Sequence, residues 1–176
     1  FFNSILSRLI NKKTFYSLQS LKSIKTLGSS MFKNVMLLSL LAFSSNLYAA
    51  CFLEMSSGDL LKFNKRTLTI DSTCSKFTIY LKHEGEMAVK TFGHNVVIVE
   101  TKNFDKVKSK IDMKLGEESG YLPDMSEIIV KTAIIGGGAD TSVTFDATNL
   151  SKDSEYMFFC SFPGHYGAMQ GPVEVI

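Results

Sequence analysis

The run Tyr156-Met157-Phe158-Phe159-Cys160-Ser161-Phe162-Pro163-Gly164-His165-Tyr166-Gly167-Ala168-Met169 limits what this chain can fold into more than any other stretch. Tyr156 to Phe159 is a short aromatic and apolar run, as in a buried strand. It ends at Cys160, and Pro163-Gly164 marks a turn. A thiol, an imidazole and a thioether therefore fall on one loop, spaced Cys-x4-His-x3-Met. Upstream, Gly93-His94-Asn95 opens a second β-branched run, Val96 to Val99.

The chain from Cys51 onward reads as short strands between turns. Leu60–Phe63, Leu68–Ile70, Phe77–Leu81, Val96–Val99, Ile128–Ile135, Val143–Phe145, Tyr156–Phe159 and Val173–Ile176 are the candidates. Such spacing predicts an all-β sandwich or barrel. Phe104 to Met125 breaks the rhythm: Val107, Ile111 and Leu115 lie four apart, which predicts one or two short helices beside the sheet. Its lysines, Lys106, Lys108, Lys110 and Lys114, read either as a docking face or as a solvated helix surface.

Charge divides the chain. Residues 1–50 hold six cations and no Asp or Glu, whereas residues 51–176 hold 13 Lys and Arg against 17 Asp and Glu. A mildly acidic folded part argues against a nucleic-acid partner, since phosphate binding needs clustered surplus cations. Met31 to Ala50 has the shape of a signal peptide: Lys33, a short apolar run from Val35 to Phe43, and small residues before Cys51. The run is too short for a membrane span of about 20 residues. Residues 1–30 read as a disordered upstream extension, 31–50 as the signal and 51–176 as the domain. A mature amphipathic anchor, an organelle-targeting arm and lipidation at Cys51 are competing readings.

Export bears on the cysteines, which number three: Cys51, Cys74 and Cys160. An odd count under oxidising conditions implies one pair and one remaining thiol. Cys51 and Cys74 are nearest in sequence, which leaves Cys160. A lone thiol survives there when buried or bound. Simple burial is one reading. The neighbours of Cys160 favour binding: a thiolate, two neutral imidazoles from His94 and His165, and a weak thioether from Met169 form a set suited to copper. Zinc would also accept Cys and two His, but the Met favours copper.

The same residues carry a resemblance. Tyr156 to His165 resembles the copper loop of the azurins, members of the cupredoxin or blue type 1 copper family, almost residue for residue. Thr141 to Asp146 resembles the strand before it, Gly93-His94-Asn95 the upstream ligand turn, and Cys51 and Cys74 the N-terminal disulfide of that family. The resemblance covers about residues 51–176. It implies an eight-stranded Greek-key β-barrel with a helical flap near 104–120 and one type 1 copper ion. His94, Cys160 and His165 would be equatorial ligands, Met169 a distant axial ligand, and the Gly93 carbonyl a second weak contact. Asn95 and Phe162 would direct backbone N–H groups at the Cys160 sulfur. His83 matches a partly buried histidine that is not a ligand. Val96 stands where relatives often have Trp, and Tyr166, Gly167 and Ala168 depart from the usual loop.

The resemblance further implies a periplasmic, monomeric electron carrier without enzymatic activity. Electrons would leave through His165, set in an apolar docking patch of Leu61, Met87, Phe92, Phe162 and Ala168. Partners would be c-type cytochromes or a respiratory reductase. A copper storage or delivery protein would show several Met or His clusters, and an enzyme using Cys160 as nucleophile would need an orienting third group.

Overall fold

The computed structural model describes residues 50–176, which form one compact unit. The upstream extension and all but the last residue of the expected signal peptide lie outside the described residues. Eight strands follow in order: β1 (Phe52–Ser57), β2 (Leu68–Ile70), β3 (Phe77–His83), β4 (Val97–Glu100), β5 (Ile128–Lys131), β6 (Asp140–Phe145), β7 (Tyr156–Phe159) and β8 (Gln170–Val175). Two short helices accompany them: α1 (Val89–Phe92) before β4, and α2 (Phe104–Lys108) after it. The strands form a three-stranded sheet, β1-β3-β6, and a five-stranded sheet, β2-β8-β7-β4-β5.

Side-chain alternation builds the core. Along β3, Phe77, Ile79, Leu81 and His83 are buried while Tyr80 and Lys82 face out. Phe77, Ile79 and Leu81 meet Leu68, Ile70, Ile98 and Phe158 from the other sheet in one apolar cluster. Each such large side chain contributes about 1.5–3 kcal/mol when fully buried. The unbroken β-branched run of β4 has a different cause. Ile98 enters this core, but Val97 and Val99 face the opposite side, where they pack with Phe159, Leu122 and Val107 of α2. A strand covered on both faces needs no polar alternation. The flap is therefore a lid over a second, smaller core.

The structure differs from the sequence reading in four places. Leu60–Phe63 is not a strand, although Phe63 makes one isolated bridge to Ser57. β1 takes its place, formed by Phe52-Leu53-Glu54-Met55-Ser56-Ser57, whose weak β-composition hid it. It is stabilised by parallel pairing with the strongly patterned β3. The expected strand over Ile128–Ile135 stops at Lys131, and Ile135 instead bridges His94. The flap is shorter than the helical stripe implies: α2 spans five residues, and a 3-10 turn over Met113–Leu115 follows.

Antiparallel pairing then places the loop residues. Val97 lies opposite Phe159, so the start of β4 sits beside the end of β7. His94 and Cys160 are 66 residues apart in sequence, yet they meet at this one end of the sandwich.

Candidate metal centre

Three donor atoms converge here. Cys160 Sγ lies 3.9 Å from His94 Nδ1 and 3.8 Å from His165 Nδ1, and the two nitrogens are 3.3 Å apart. Among the described residues this is the group of His, Cys, Asp and Glu side chains able to hold a metal ion. Bond lengths of about 2.0–2.1 Å to nitrogen and 2.3 Å to sulfur give S···N separations of about 3.8 Å in a trigonal plane, against about 3.6 Å in a tetrahedron. The three separations together are those of donors that share one ion: the S···N distances lie near the planar value and the 3.3 Å between the nitrogens near the tetrahedral one. One soft sulfur and two borderline nitrogens are a donor set that fits copper.

The backbone fixes this geometry. Cys160 N–H donates to the Met169 carbonyl, which continues the β7–β8 ladder and closes the base of the loop. Within the loop, His165 N–H donates to Phe162 O, and the N–H groups of Ala168 and Met169 donate to His165 O. Gly164 takes a positive φ of 88° at the apex. Met169 is buried in the same cluster as Cys160 and Phe162. On the opposite side, His94 exchanges both backbone hydrogen bonds with Ile135. Gly93 must be glycine, because a Cβ there would lie 2.5 Å from Val89 O and 2.6 Å from Ile134 Cγ2.

The ring states follow from the partners. His94 Nε2 lies 2.9 Å from the Gly58 carbonyl, which only accepts, so Nε2 carries the proton. Nδ1 is thereby left as a lone pair aimed at the cage. His83 is held by the same logic. Gly85 N–H donates to its Nδ1, so its Nε2–H donates to Phe92 O, 3.1 Å away. The His83 ring stacks on that of His94 at 4.8 Å, and it is fully buried rather than partly exposed.

Burial pushes His165 down to about 4, with a smaller contribution from the nearby His94 ring, and it lowers His94 as well. Both rings are therefore neutral at pH 7. Burial pushes the Cys160 thiol up to about 11, opposed by hydrogen bonds from the backbone N–H groups of Asn95 and Phe162. Those two N–H groups point at the sulfur and would favour a thiolate once a cation neutralises it.

Asn95 ties the two segments together. Its Oδ1 accepts from Ser161 N–H, its Nδ2 donates to Ser161 Oγ, and that hydroxyl lies 2.6 Å from Gly120 O of the flap. Ser161 and Gly58 escaped the sequence reading. Ser161 carried a signal as a polar residue between Cys160 and Phe162, whereas Gly58 follows the unrecognised β1.

Comparison with known proteins bears on this centre. A family profile described as copper-binding proteins of the plastocyanin/azurin family matches residues 49–176. The chain belongs to this family. It is 40% identical over 127 residues to azurin from Alcaligenes faecalis, covering 72% of this chain and 98% of that protein. It is 39% identical over 142 residues to azurin from Pseudomonas aeruginosa, covering 80% and 95%. Its fold is similar to that of the solved azurin Az-iso2 from the obligate methylotroph Methylomonas sp. strain J. That match has a TM-score of 0.68 at 33% identity and covers 73% of this chain and 99% of that one. The sandwich with its flap is thus the cupredoxin fold, and copper is the cofactor.

The expected docking residues divide. Leu61 and Met87 are 43% and 42% exposed, Ala168 is exposed and Phe92 is half-buried. Phe162 is not a surface residue. It is 8% exposed and stacks on the His165 ring at 4.4 Å, and the Tyr121 ring meets it edge-on at 5.3 Å. His165 itself is 5% exposed, so only an edge reaches the surface. The flap lysines are partly engaged: Lys106 pairs with Glu127, and Lys108 with Asp105 at 2.6 Å.

Proposed function

We propose that this protein is an electron carrier rather than an enzyme, holding one copper ion with His94, Cys160 and His165. Met169 and the Gly93 carbonyl would supply two further, weaker contacts. The observation that supports this most is the convergence of three buried donors, one thiol and two neutral imidazoles, at the spacing of a shared ion. When bound, copper supplies a one-electron couple between Cu(II) and Cu(I). The chain's part is to keep its donors still, so that little has to move when the charge on the ion changes. Gly58, Asn95, Ser161 and the Cys160–Met169 closure each hold one part of the cage.

Electrons enter and leave through the His165 edge. Leu61, Met87, Phe92 and Ala168 surround it as an apolar docking rim with Phe162 beneath, suited to the small interfaces of brief encounters. The partner is another redox protein, a c-type cytochrome or a respiratory reductase. The carrier works in the periplasm as a monomer, delivered there by residues 31–50, with 51–176 as the mature domain. No helix among the described residues is long and apolar enough to cross a membrane. Burial of all three donors favours retention of copper over its delivery.

The test is the visible spectrum after adding Cu(II) to the purified protein. An intense thiolate-to-copper band, lost in Cys160→Ser, is expected. Met169→Leu should keep the band and change the reduction potential. A colourless, weakly held copper would refute the reading. Mixing the reduced form with an oxidised c-type cytochrome should re-form the blue band within a stopped-flow trace.

A further inference from the structure

The outer half of the copper loop is thinly supported. Gly164 and Gly167 have open space where a Cβ would stand, and Gly164, Gly167 and Ala168 are exposed. His165 nevertheless keeps its Nδ1 within 3.3 Å of His94 Nδ1. On the inner side its ring rests on Phe162 and on Phe92, 4.7 Å away. On the outer side one side chain leaves the loop towards a core: the Tyr166 ring packs against the second apolar cluster, the one that holds Val107 and Phe159 and on which Phe104 also packs. Lys108 Nζ sits 4.8 Å from the centre of the Phe104 ring and 6.0 Å from that of Tyr166, with Asp105 as its counter-ion. The residue next to His165 is therefore seated in the flap.

We propose that Tyr166 is a positioning residue that latches the copper loop to the flap and holds His165 ready for the ion. The proposal rests on the copper reading above and adds the flap to the machinery. The cluster that holds Val107 is the seat of the Tyr166 ring, and the Lys108 ammonium lies between the Phe104 and Tyr166 rings at the edge. The ring, not the hydroxyl, makes these contacts, so phenylalanine should serve as well as tyrosine. Without the ring, the loop samples arrangements in which His165 has left the cage. Copper affinity then falls by the fraction of time the cage is intact.

The experiment compares the wild type, Tyr166→Phe and Tyr166→Ala, each with and without copper. Three quantities are read: the rate of copper loss to a chelator, the visible spectrum, and Tm. In Tyr166→Ala, copper loss should accelerate about ten-fold, in the range seen when support of a ligand is removed. The gain in Tm on adding copper should shrink, since that gain follows affinity. Tyr166→Phe should match the wild type in all three. Val107→Ala loosens the seat without touching the loop, and it should accelerate copper loss in the same direction. Equal losses of Tm with and without copper in Tyr166→Ala, at an unchanged release rate, would mean that Tyr166 only packs and would overturn the latch. An unchanged release rate in Val107→Ala would overturn the link to the flap. Failure of the wild type to form the blue band would instead overturn the copper reading itself.

Discussion

His94 illustrates how a single carbonyl can decide what a side chain does. The Gly58 oxygen takes the Nε2 proton, so the nitrogen facing the cage has a free lone pair before any metal arrives. His165 reaches the same neutral state by burial, which holds it near 4 against an ordinary 6.5. The consequence for stability has a definite sign. As pH falls below about 6.5, the unfolded chain binds a proton at this position and the folded metal-free chain does not. Stability of the copper-free form should therefore be complete above about pH 6.5 and decline between there and about pH 4, as read by urea denaturation across that range. Protons should displace copper from His165 only towards about pH 4, so the blue band should persist at about pH 5. Loss of the band near pH 6 would contradict this. Cys160 and His165 were legible in the sequence because they share one loop, and the upstream His94 because a strand follows it. Gly58 and Ser161 were not, because a backbone carbonyl has no sequence signature and a hydroxyl between two apolar residues has many uses.

Strands were legible where their burial was regular. β3 alternates along its whole length, and β4 announced itself as a β-branched run, although only the structure shows that its second face lies under the flap. β1 was hidden because its neighbour in the sheet, not its own composition, makes it a strand. The turn between α1 and β4 shows the same dependence on context. Gly93 there is pressed between Val89 and Ile134. Gly93→Ala should push the His94 turn away from the Cys160 loop. A loss of about 1–3 kcal/mol is expected, as for other overpacked sites. Chemical denaturation would measure it, and faster copper release would show that the displacement reaches the cage. A variant as stable and as slow to release copper as the wild type would show that the turn yields freely.

For the molecule as a whole, the disulfide adds a constraint that neither core supplies. Cys51 and Cys74 are bonded across a separation of 23 residues, joining the start of β1 to the turn before β3. Closing a loop of that length stabilises the fold by about 3 kcal/mol. The double variant Cys51→Ala/Cys74→Ala should lose about that much in urea denaturation while keeping its copper spectrum, because the disulfide lies apart from the cage ligands. A lost spectrum at low denaturant would show that β1, which leads into Gly58, depends on the bond for its register. The order of the three cysteines along the chain also has a consequence in time. In a chain that crosses a membrane N-terminus first, Cys51 and Cys74 reach an oxidising compartment well before Cys160 follows. They can find each other while the third thiol is still on the other side. By the time Cys160 emerges its rivals are spent, and β8 follows at once to complete the sheet. Under that order of export, the sequence would work as a schedule that keeps one sulfur unclaimed until a metal reaches it.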